Sequence, residues 1–248
     1  MKYKNWSDEI WSKLSTALDE ELRVNPKPVA AFDADGTLWD TDLGETFFKY
    51  QIANSKLPDL PADPWRHYRD WKESGDPRPA YLWLAQINAG QKLGQVKTWA
   101  RESVAQFSPL PIFMEQKKWI SIMLSRGVDV YIVTASIKWA VEPGAARLGL
   151  PENQVIGIQT KITDGVVTAE QEGPISYREG KVEALLAATG GRKPFFCSGN
   201  TMGDYSLLKA ATRVGFAVGA APEGHELWET ENELRTKASE HSWLSHRF

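Results

Sequence analysis

The chain carries, at residues 29–39, the stretch Val29-Ala30-Ala31-Phe32-Asp33-Ala34-Asp35-Gly36-Thr37-Leu38-Trp39. The stretch begins as an apolar run typical of a buried strand, and it ends in two carboxylates and a glycine at which the chain can turn. Because side chains two positions apart lie on one face of a strand, Asp33 and Asp35 can both reach a site at its carboxyl end. A divalent cation, or a proton on one acid, would relieve their repulsion. These residues alone leave a second interpretation equally open, namely an ordinary acidic turn that closes a strand.

The length and composition of the chain limit what it can be. Its 248 residues suit one large domain, or a core domain with a sizeable insertion. With 29 basic and 32 acidic side chains and no long basic block, nucleic acid is not an expected partner. The single cysteine, Cys197, excludes an internal disulfide framework and fits a reducing compartment. No apolar run approaches the roughly 20 residues that span a bilayer, and residues 1–21 show no signal-peptide pattern, so we expect a cytoplasmic protein without a membrane partner.

The chain on either side of the opening stretch is helical in pattern. Ser7 is a candidate N-cap for a first helix with apolar residues at helical spacing, which Pro26 ends. From Thr41 to about Pro111 the pattern is helical, interrupted by loops and without a strand, and it predicts helices over 43–52, 65–71, 81–89 and 96–107. We therefore expect an all-helical insertion directly after the acidic turn. It would lie over the carboxyl end of the sheet, where ligands bind in open α/β folds.

The rest of the chain alternates between helices and strands. Helices are predicted over 112–126, 139–148 and 179–189 and from 204 to 211, with strands over 128–133, 155–158, 195–198 and, as the last one, 213–218. Asp164-Gly165, between residues 159–163 and 166–169, indicates a β-hairpin. Alternation of this kind implies an α/β fold with a Rossmann-like, doubly wound parallel sheet. The predicted core comprises residues 1–40 and 110–248, and the predicted insertion comprises residues 41–109.

Polar side chains that complement the two acids stand where later strands end. They are two hydroxyls after one strand, a lysine that begins a helix, and two oxygen-bearing residues that flank a glycine-containing turn: Thr134, Ser136, Lys181, Asn200 and Asp204. Carboxylate and amide oxygens suit Mg²⁺, while a lysine and a hydroxyl suit phosphate oxygens. Each residue taken singly has a plainer interpretation, as a strand end, a solvated helix residue, a turn residue or an N-cap. Their order along the chain favours a site for a phosphoryl group and a divalent metal.

With these residues the chain resembles the haloacid dehalogenase superfamily, and within it the phosphoserine phosphatase-type branch. Four segments resemble the first to fourth motifs of that family in order: Phe32-Asp33-Ala34-Asp35-Gly36-Thr37-Leu38, Val133-Thr134-Ala135-Ser136, Gly180-Lys181, and Gly199-Asn200 followed by Asp204. The run Val141-Glu142-Pro143 resembles part of the helix that follows the second motif in the same branch. The hairpin at Asp164-Gly165 also resembles a feature of that branch. The resemblance covers residues 29–218, and its first motif is the most specific part.

The resemblance implies a Mg²⁺-dependent phosphatase with an aspartyl-phosphate intermediate. It implies Asp33 as the nucleophile, and Asp35 as the acid that protonates the leaving alcohol and then activates water. An acid at Asp35 also separates the phosphatases of the family from its dehalogenases. The resemblance assigns the phosphate group to three residues: Thr134, Ala135 and Lys181. It assigns the metal to four: Asp33, Asp35 through its carbonyl oxygen, Asn200 and Asp204.

The fourth motif departs from the pattern of the family. It usually begins Gly-Asp, whereas this chain has Gly199-Asn200. An amide can bind Mg²⁺ through its oxygen but brings no charge, so we expect a lower metal affinity and a greater share of the binding on Asp204. We expect activity to survive this change.

The helical insertion resembles the cap of that family, which closes over the substrate and sets specificity. Most of its many aromatic side chains are expected to pack a helical bundle, while a minority that face the site could bind a cationic group. Asp42 and Glu45 follow the acidic turn and are placed to meet a substrate amine, and the phosphoserine phosphatase-type branch carries an acid at about the position of Asp42. Arg66, Arg69 and Arg78 are the alternative, as partners of a substrate carboxylate.

We therefore expect a phosphomonoesterase that acts on a small phosphorylated metabolite, with an amino alcohol or amino acid phosphate favoured. Two alternatives stay open. The phosphoryl group could pass to an acceptor alcohol instead of water, which would make the chain a phosphotransferase. The chain could also be a catalytically weak phosphate-binding module, an interpretation motivated by Asn200. The expected assembly is a monomer or a homodimer.

Overall fold

The computed structural model describes residues 3–248, and within them the chain forms seven strands and ten α-helices. The strands are β1 (Val29–Phe32), β2 (Asp129–Ile137), β3 (Val155–Thr163), β4 (Val166–Glu172), β5 (Pro194–Gly199), β6 (Val214–Gly219) and β7 (Leu244–Arg247). The helices are α1 (Asp8–Val24), α2 (Leu43–Ala53), α3 (Pro64–Glu73), α4 (Arg78–Gln86), α5 (Leu93–Ala105), α6 (Met114–Ser125), α7 (Lys138–Ala146), α8 (Glu179–Thr189), α9 (Tyr205–Ala210) and α10 (Trp228–Glu240).

The strands form one seven-stranded sheet in the order β4-β3-β2-β1-β5-β6-β7. Every neighbouring pair is parallel except β3 and β4, which are antiparallel. After β1 the chain first builds outward through β2 and β3, and it returns to the other side of β1 with β5. β1 therefore lies where the strand order reverses, and in open α/β sheets ligands bind beyond the carboxyl ends of the strands at such a point. The predicted Rossmann-like, doubly wound sheet is confirmed.

Several predicted elements form with the local signals that predicted them. Ser7 caps α1, and its Oγ accepts a hydrogen bond from the Ile10 N–H at 3.3 Å. Asp164 and Gly165 have positive φ angles of 51° and 76°, which is the backbone of a two-residue hairpin turn, here between β3 and β4. Residues 155–158 and 159–163, predicted as separate strands, form the single strand β3. The strand does not end between them because its first half pairs with β2 and its second half with β4.

The prediction that residues 213–218 form the last strand was wrong. β6 is followed by α10 and then by β7, which pairs in parallel with β6. The sequence pattern reveals neither α10 nor β7. α10 is rich in charge and buries only Leu234, Ala238 and Glu231, whereas β7 is a four-residue edge strand without a regular alternation of buried and exposed positions.

Helices α2 to α5 pack around an apolar cluster distinct from the main core of the sheet. Phe47 and Phe48 lie fully buried in this cluster, and Trp65, Trp71 and Trp83 pack against it partly buried. Most aromatic side chains of the segment therefore serve packing, as their spacing predicts. Within residues 3–248 no helix is both long and apolar enough to cross a lipid bilayer.

The chain enters and leaves the helical segment through two stretches of backbone that bond to each other. The Asp40 N–H donates to the Pro111 carbonyl at 2.9 Å, and the Phe113 N–H donates to the Leu38 carbonyl at 3.0 Å. No strand lies between these two links, in agreement with the predicted helical pattern. The assignment of residues 41–109 to a separate cap domain stays a prediction.

Candidate active site

The backbone places Asp33 at the carboxyl end of β1, against β5. The Asp33 N–H donates to the Ser198 carbonyl at 2.8 Å, so the pairing of the strand extends to this residue. Thr37 returns its hydroxyl to Asp33 Oδ2 at 2.8 Å. Gly36 makes the turn possible because it has a φ of 75° and because a Cβ there would lie 2.1 Å from the Asn200 side-chain nitrogen. The first motif therefore folds into a tight turn that fixes Asp33 in a buried position.

Lys181 lies between two acids at the buried centre of the site. Its Nζ donates to Asp33 Oδ1 and to Asp204 Oδ1, each at 2.6 Å. Burial by itself would lower the pKa of Lys181, but the charges of Asp204 and Asp33 raise it, so the side chain stays an ammonium. An ammonium has three N–H donors, so one remains for a further oxygen such as that of a phosphate.

The Asp35 carboxylate is held by three donors. Oδ1 accepts from Trp39 Nε1 at 2.7 Å and from the Leu43 N–H at 2.9 Å, and Oδ2 accepts from Ser136 Oγ at 2.6 Å. Burial raises the pKa of Asp35, while these hydrogen bonds oppose the shift. A carboxyl group with a raised pKa can keep a proton closer to neutral pH and deliver it to a leaving group. The sequence marked Ser136 only as a hydroxyl that follows Thr134 at the end of the second motif, and the structure makes it a hydrogen-bond donor to Asp35.

The second motif reaches the site because β2 continues beyond the end of β1. Thr134, Ala135 and Ser136 lie in this extension. Thr134 Oγ1 accepts from the Ser136 N–H at 3.0 Å, which leaves the hydroxyl hydrogen of Thr134 free to donate. Ser176, which is buried, donates its hydroxyl to the Thr134 carbonyl at 2.6 Å. Sequence reasoning missed Ser176, which lies in an irregular segment before α8 where no periodic pattern could reveal it.

The loop after β5 is closed by Asp204. Its Oδ2 accepts from the Asn200 N–H at 3.1 Å and from the Thr201 N–H at 3.0 Å, while its Oδ1 accepts from Lys181. Gly199 allows this close approach, since a Cβ there would lie 2.4 Å from the Asp204 Cβ. Both oxygens of Asp204 are thus engaged within the protein, and the residue ties the fourth motif to the third.

Oxygen atoms converge where the resemblance assigns a metal. One atom of the Asn200 amide lies 3.2 Å from Thr37 Oγ1, 3.3 Å from Asp33 Oδ2 and 3.3 Å from the Asp35 carbonyl oxygen. Since Thr37 gives its hydrogen to Asp33, an amide oxygen at that point meets only acceptors, which a cation among them would reconcile. Within residues 3–248, no group of three or more Asp, Glu, His or Cys side chains has metal-binding geometry. The donors that fit a cation here are therefore amide, carbonyl and carboxylate oxygens, the hard donors that suit Mg²⁺.

The two acids expected to meet a substrate amine have different surroundings. Asp42 is the N-cap of α2, and its Oδ1 accepts from the Glu45 N–H at 2.7 Å. Burial raises the pKa of Asp42 well above its usual value, and the charges of Asp35 and Glu45 add to the shift. The Glu45 side chain instead pairs with Lys72 at 2.8 Å. Asp42 is therefore the acid close to Asp35, whereas Glu45 belongs to an ion pair within the helical segment.

The three arginines considered as partners of a substrate carboxylate are engaged elsewhere. Arg66, Arg69 and Arg78 each lie within 3.5 Å of an acid close to them in sequence. These pairs are exposed or partly exposed on the helical segment. The structure therefore gives the carboxylate alternative no support.

The metal-free protein is expected to lose stability as Asp33 ionises. Burial raises the pKa of Asp33 from 3.8 to about 7, with the charge of Asp204 adding to the shift and that of Lys181 opposing it. Because the folded value is the higher one, this contribution to stability is fully present below the ordinary pKa and is lost as the pH rises through about 7. One group changes the free energy of unfolding by at most about 1.4 kcal/mol per pH unit.

Urea denaturation in EDTA measures this effect. Relative to the wild type, Asp33→Asn should gain stability as the pH is raised from about 5 to about 8, because the asparagine does not titrate. Added Mg²⁺ should make the stability difference between the two proteins depend less on pH, since a cation favours the ionised carboxylate. A difference that does not change with pH in EDTA would contradict the raised pKa.

The strand order of the sheet reverses at β1, and the acidic turn follows that strand. These two features place the chain among Rossmann-like α/β proteins in which an aspartate after the first strand belongs to the site. The chain belongs to the haloacid dehalogenase-like hydrolase family, whose model matches residues 30–209. The matched range contains all four motifs, so the family predicted from them is confirmed.

The chain is similar in sequence to one curated protein and in fold to several solved structures. A phosphorylcholine phosphatase from Pseudomonas aeruginosa is 27% identical over 179 residues, which are 56% of this chain and 51% of that protein. The chain thus spans about half the length of the curated relative that it matches. A conserved protein of unknown function from Anaerococcus prevotii aligns with a TM-score of 0.74 at 19% identity, over 99% of this chain and 94% of that one. A substrate-bound phosphoserine phosphatase aligns with a TM-score of 0.53 at 16% identity, over 87% of this chain and 98% of that one, so the two share a fold.

Proposed function

We propose that the chain is a Mg²⁺-dependent phosphomonoesterase that forms an aspartyl-phosphate on Asp33. The observation that carries the proposal is the buried Lys181, whose Nζ lies 2.6 Å from both Asp33 and Asp204 and has one N–H left over. A fixed ammonium beside a potential carboxylate nucleophile supplies charge that binds a phosphoryl group and stabilises its transfer. Membership of a hydrolase family and a phosphatase among the relatives support the same activity.

In the proposed reaction, an Asp33 oxygen attacks phosphorus and the bond to the leaving oxygen breaks. Asp35 protonates that oxygen, so the alcohol leaves uncharged. Asp35 then takes a proton from a water molecule, which attacks phosphorus and breaks the bond to Asp33, so inorganic phosphate is released. The rise that burial causes in the pKa of Asp35 supports its role as the acid. Thr134, the Ala135 backbone N–H and Lys181 are the proposed donors to the other phosphate oxygens.

Mg²⁺ is the proposed cofactor. The residues that would hold it are Asp33, Asp35 through its carbonyl oxygen, and Asn200, with Asp204 beside them. When bound, the ion neutralises charge on the phosphate and orients it. The acceptors that converge on the Asn200 amide support this placement.

The proposed substrate is a small amino alcohol or amino acid phosphate. Asp42 supports a cationic leaving group because its carboxyl lies near Asp35, the residue proposed to protonate that group, and because a bound cation would favour the ionised carboxylate against the effect of burial. Tyr68 and Tyr81 lie near Asp42 as well, and aromatic faces next to acids attract ammonium groups. The relative from Pseudomonas aeruginosa is named for phosphorylcholine, the phosphate ester of a cationic amino alcohol.

A panel of phosphate monoesters, assayed with Mg²⁺ and with EDTA, tests the proposal. We expect phosphate release only with Mg²⁺, and a kcat/KM for phosphorylcholine, phosphoethanolamine or phosphoserine at least about tenfold above that for glycerol phosphate, as one favourable charge interaction would give. Asp42→Asn should reduce this preference, and it is a matched variant because asparagine caps a helix about as well as aspartate does.

Other outcomes of the panel would point to other functions. Binding of Mg²⁺ and phosphate without hydrolysis of any ester would mean a phosphate-binding module. Formation of a new ester when an acceptor alcohol is added would mean a phosphotransferase. Equal turnover of cationic and uncharged esters would leave the phosphatase in place and refute the proposed substrate class.

A further inference from the structure

A buried carboxylate that no motif predicts lies beside the fourth motif. Glu231, in the first turn of α10, is 1% exposed, and its Oε1 accepts from Asn200 Nδ2 at 3.4 Å. Its Oε2 accepts from the Ala221 N–H at 3.1 Å and lies 3.6 Å from an Arg247 guanidinium nitrogen. Both oxygens of Glu231 therefore act as acceptors, and one of them touches a residue proposed to hold the metal.

The Asn200 amide has a different kind of neighbour on each side. On one side lie three oxygens at 3.2–3.3 Å, those of Thr37, Asp33 and the Asp35 carbonyl. On the other side lies the Glu231 carboxylate. With its nitrogen toward Glu231, the amide places its oxygen among the three acceptors. Without a cation the opposite orientation is the better satisfied one, because the amide nitrogen then donates to those three oxygens, although the amide oxygen faces the Glu231 carboxylate. A cation among the three oxygens would reverse this preference.

We propose that Glu231 is a positioning residue that holds the Asn200 amide with its oxygen toward the metal site. This inference rests on the proposed Mg²⁺-dependent function. It accounts for a metal site that has an amide where the family usually has a carboxylate. The negative charge is that of Glu231, one residue further from the metal, and it acts through the dipole of the Asn200 amide that it orients. Both side chains are buried, and each approaches the backbone at a glycine, since a Cβ at Gly36 would lie 2.1 Å from Asn200 Nδ2 and a Cβ at Gly219 would lie 2.6 Å from Glu231 Oε2.

Titration with Mn²⁺, followed by the electron paramagnetic resonance of the free ion, tests the inference. The titration is run at about pH 8, because burial raises the pKa of Glu231 and the carboxylate form is the one proposed to act. Glu231→Gln keeps the shape of the side chain but adds an N–H that can donate to the amide oxygen and so favours the wrong orientation. We expect the Mn²⁺ affinity to fall about tenfold or more, as is usual when the partner of a metal ligand is removed.

Glu231→Gln should lower the Mn²⁺ affinity of the wild type but raise that of a protein in which Asn200 is replaced by aspartate. In Asn200→Asp the introduced carboxylate would face Glu231 across 3.4 Å and be repelled by it. Adding Glu231→Gln to that variant replaces the repulsion with a hydrogen bond, so the double variant should bind Mn²⁺ more tightly than Asn200→Asp alone. Glu233→Gln, an exposed position on the same helix, is the matched control and should leave the affinity unchanged.

A merely structural role for Glu231 predicts another pattern, in which Glu231→Gln lowers the affinity by the same factor in both backgrounds. That pattern, or an unchanged affinity of Glu231→Gln, overturns the inference. A wild-type protein that shows no Mn²⁺ binding sensitive to Asp33→Asn would overturn the proposed metal-dependent function itself. The two failures are therefore distinguishable.

Discussion

Asp33→Asn is expected to lower phosphate release from an aryl phosphate at least about 10⁴-fold, the scale of loss seen when a nucleophile is removed. The amide oxygen can still accept the hydrogen bond from Lys181, and the amide nitrogen can donate to the Thr37 hydroxyl, which can accept as well as donate, so the fold should be retained. The uncharged amide oxygen is too weak a nucleophile to attack phosphorus. Phosphate release in the presence of Mg²⁺, together with a thermal unfolding curve for each protein, is the measurement.

A matched control makes the result specific to the site. Asp129 opens β2 at the opposite end of the parallel sheet, where its half-exposed side chain pairs with Arg192 at 2.7 Å. Asp129→Asn is the same chemical change and should leave turnover close to that of the wild type. If Asp33→Asn also keeps wild-type turnover, the aspartyl-phosphate mechanism is wrong, whatever the substrate is.

Elements with strong local signals could be predicted from the sequence. Helix α8 spans Glu179–Thr189, as predicted, because an apolar periodic run ends at Gly190, which adopts the left-handed conformation favoured after a helix. The β3–β4 hairpin follows in the same way from one Asp-Gly pair. β7 could not be predicted, because a short edge strand owes its conformation to pairing with β6 and not to its own pattern.

The site shows the same division between local and distant information. Parallel strands bring their carboxyl ends to one edge, so a reader of the sequence can expect the motif residues to lie near one another. The partners of those residues come from elsewhere. Ser176 bonds to the backbone of Thr134 across 42 positions, and Glu231 bonds to Asn200 across 31, and no spacing rule connects such pairs. Asn200, in the place of the usual aspartate, was the signal available in the sequence for a nearby acid. Finding that acid requires the position of α10, which the pattern did not reveal.

Lys181→Met is expected to lower the free energy of unfolding by about 3–5 kcal/mol, the range found when one partner of a buried ion pair is removed. Methionine has a similar length but no charge, so Asp33 and Asp204 would lose the nitrogen that lies 2.6 Å from each of them. Two buried acids without a cation between them repel each other, and the loss should grow as the pH rises and Asp33 ionises. Urea denaturation in EDTA at about pH 8 measures it. Phosphate release should also fall, by at least about 10²-fold, because the transferring phosphoryl group loses a charged donor.

Two further variants separate the buried ion pairs from a general effect of removing a lysine. Lys237→Met removes a surface ammonium that pairs with Glu240 at 2.8 Å, and it should change stability far less because solvent screens that pair. Asp204→Asn added to Lys181→Met removes one of the two repelling acids, so it should restore part of the stability but none of the activity, since no ammonium returns. If Lys181→Met alone unfolds like the wild type, the Lys181 ammonium does not stabilise the fold through these two acids. The charge that we propose for phosphoryl binding would then have to come from another group.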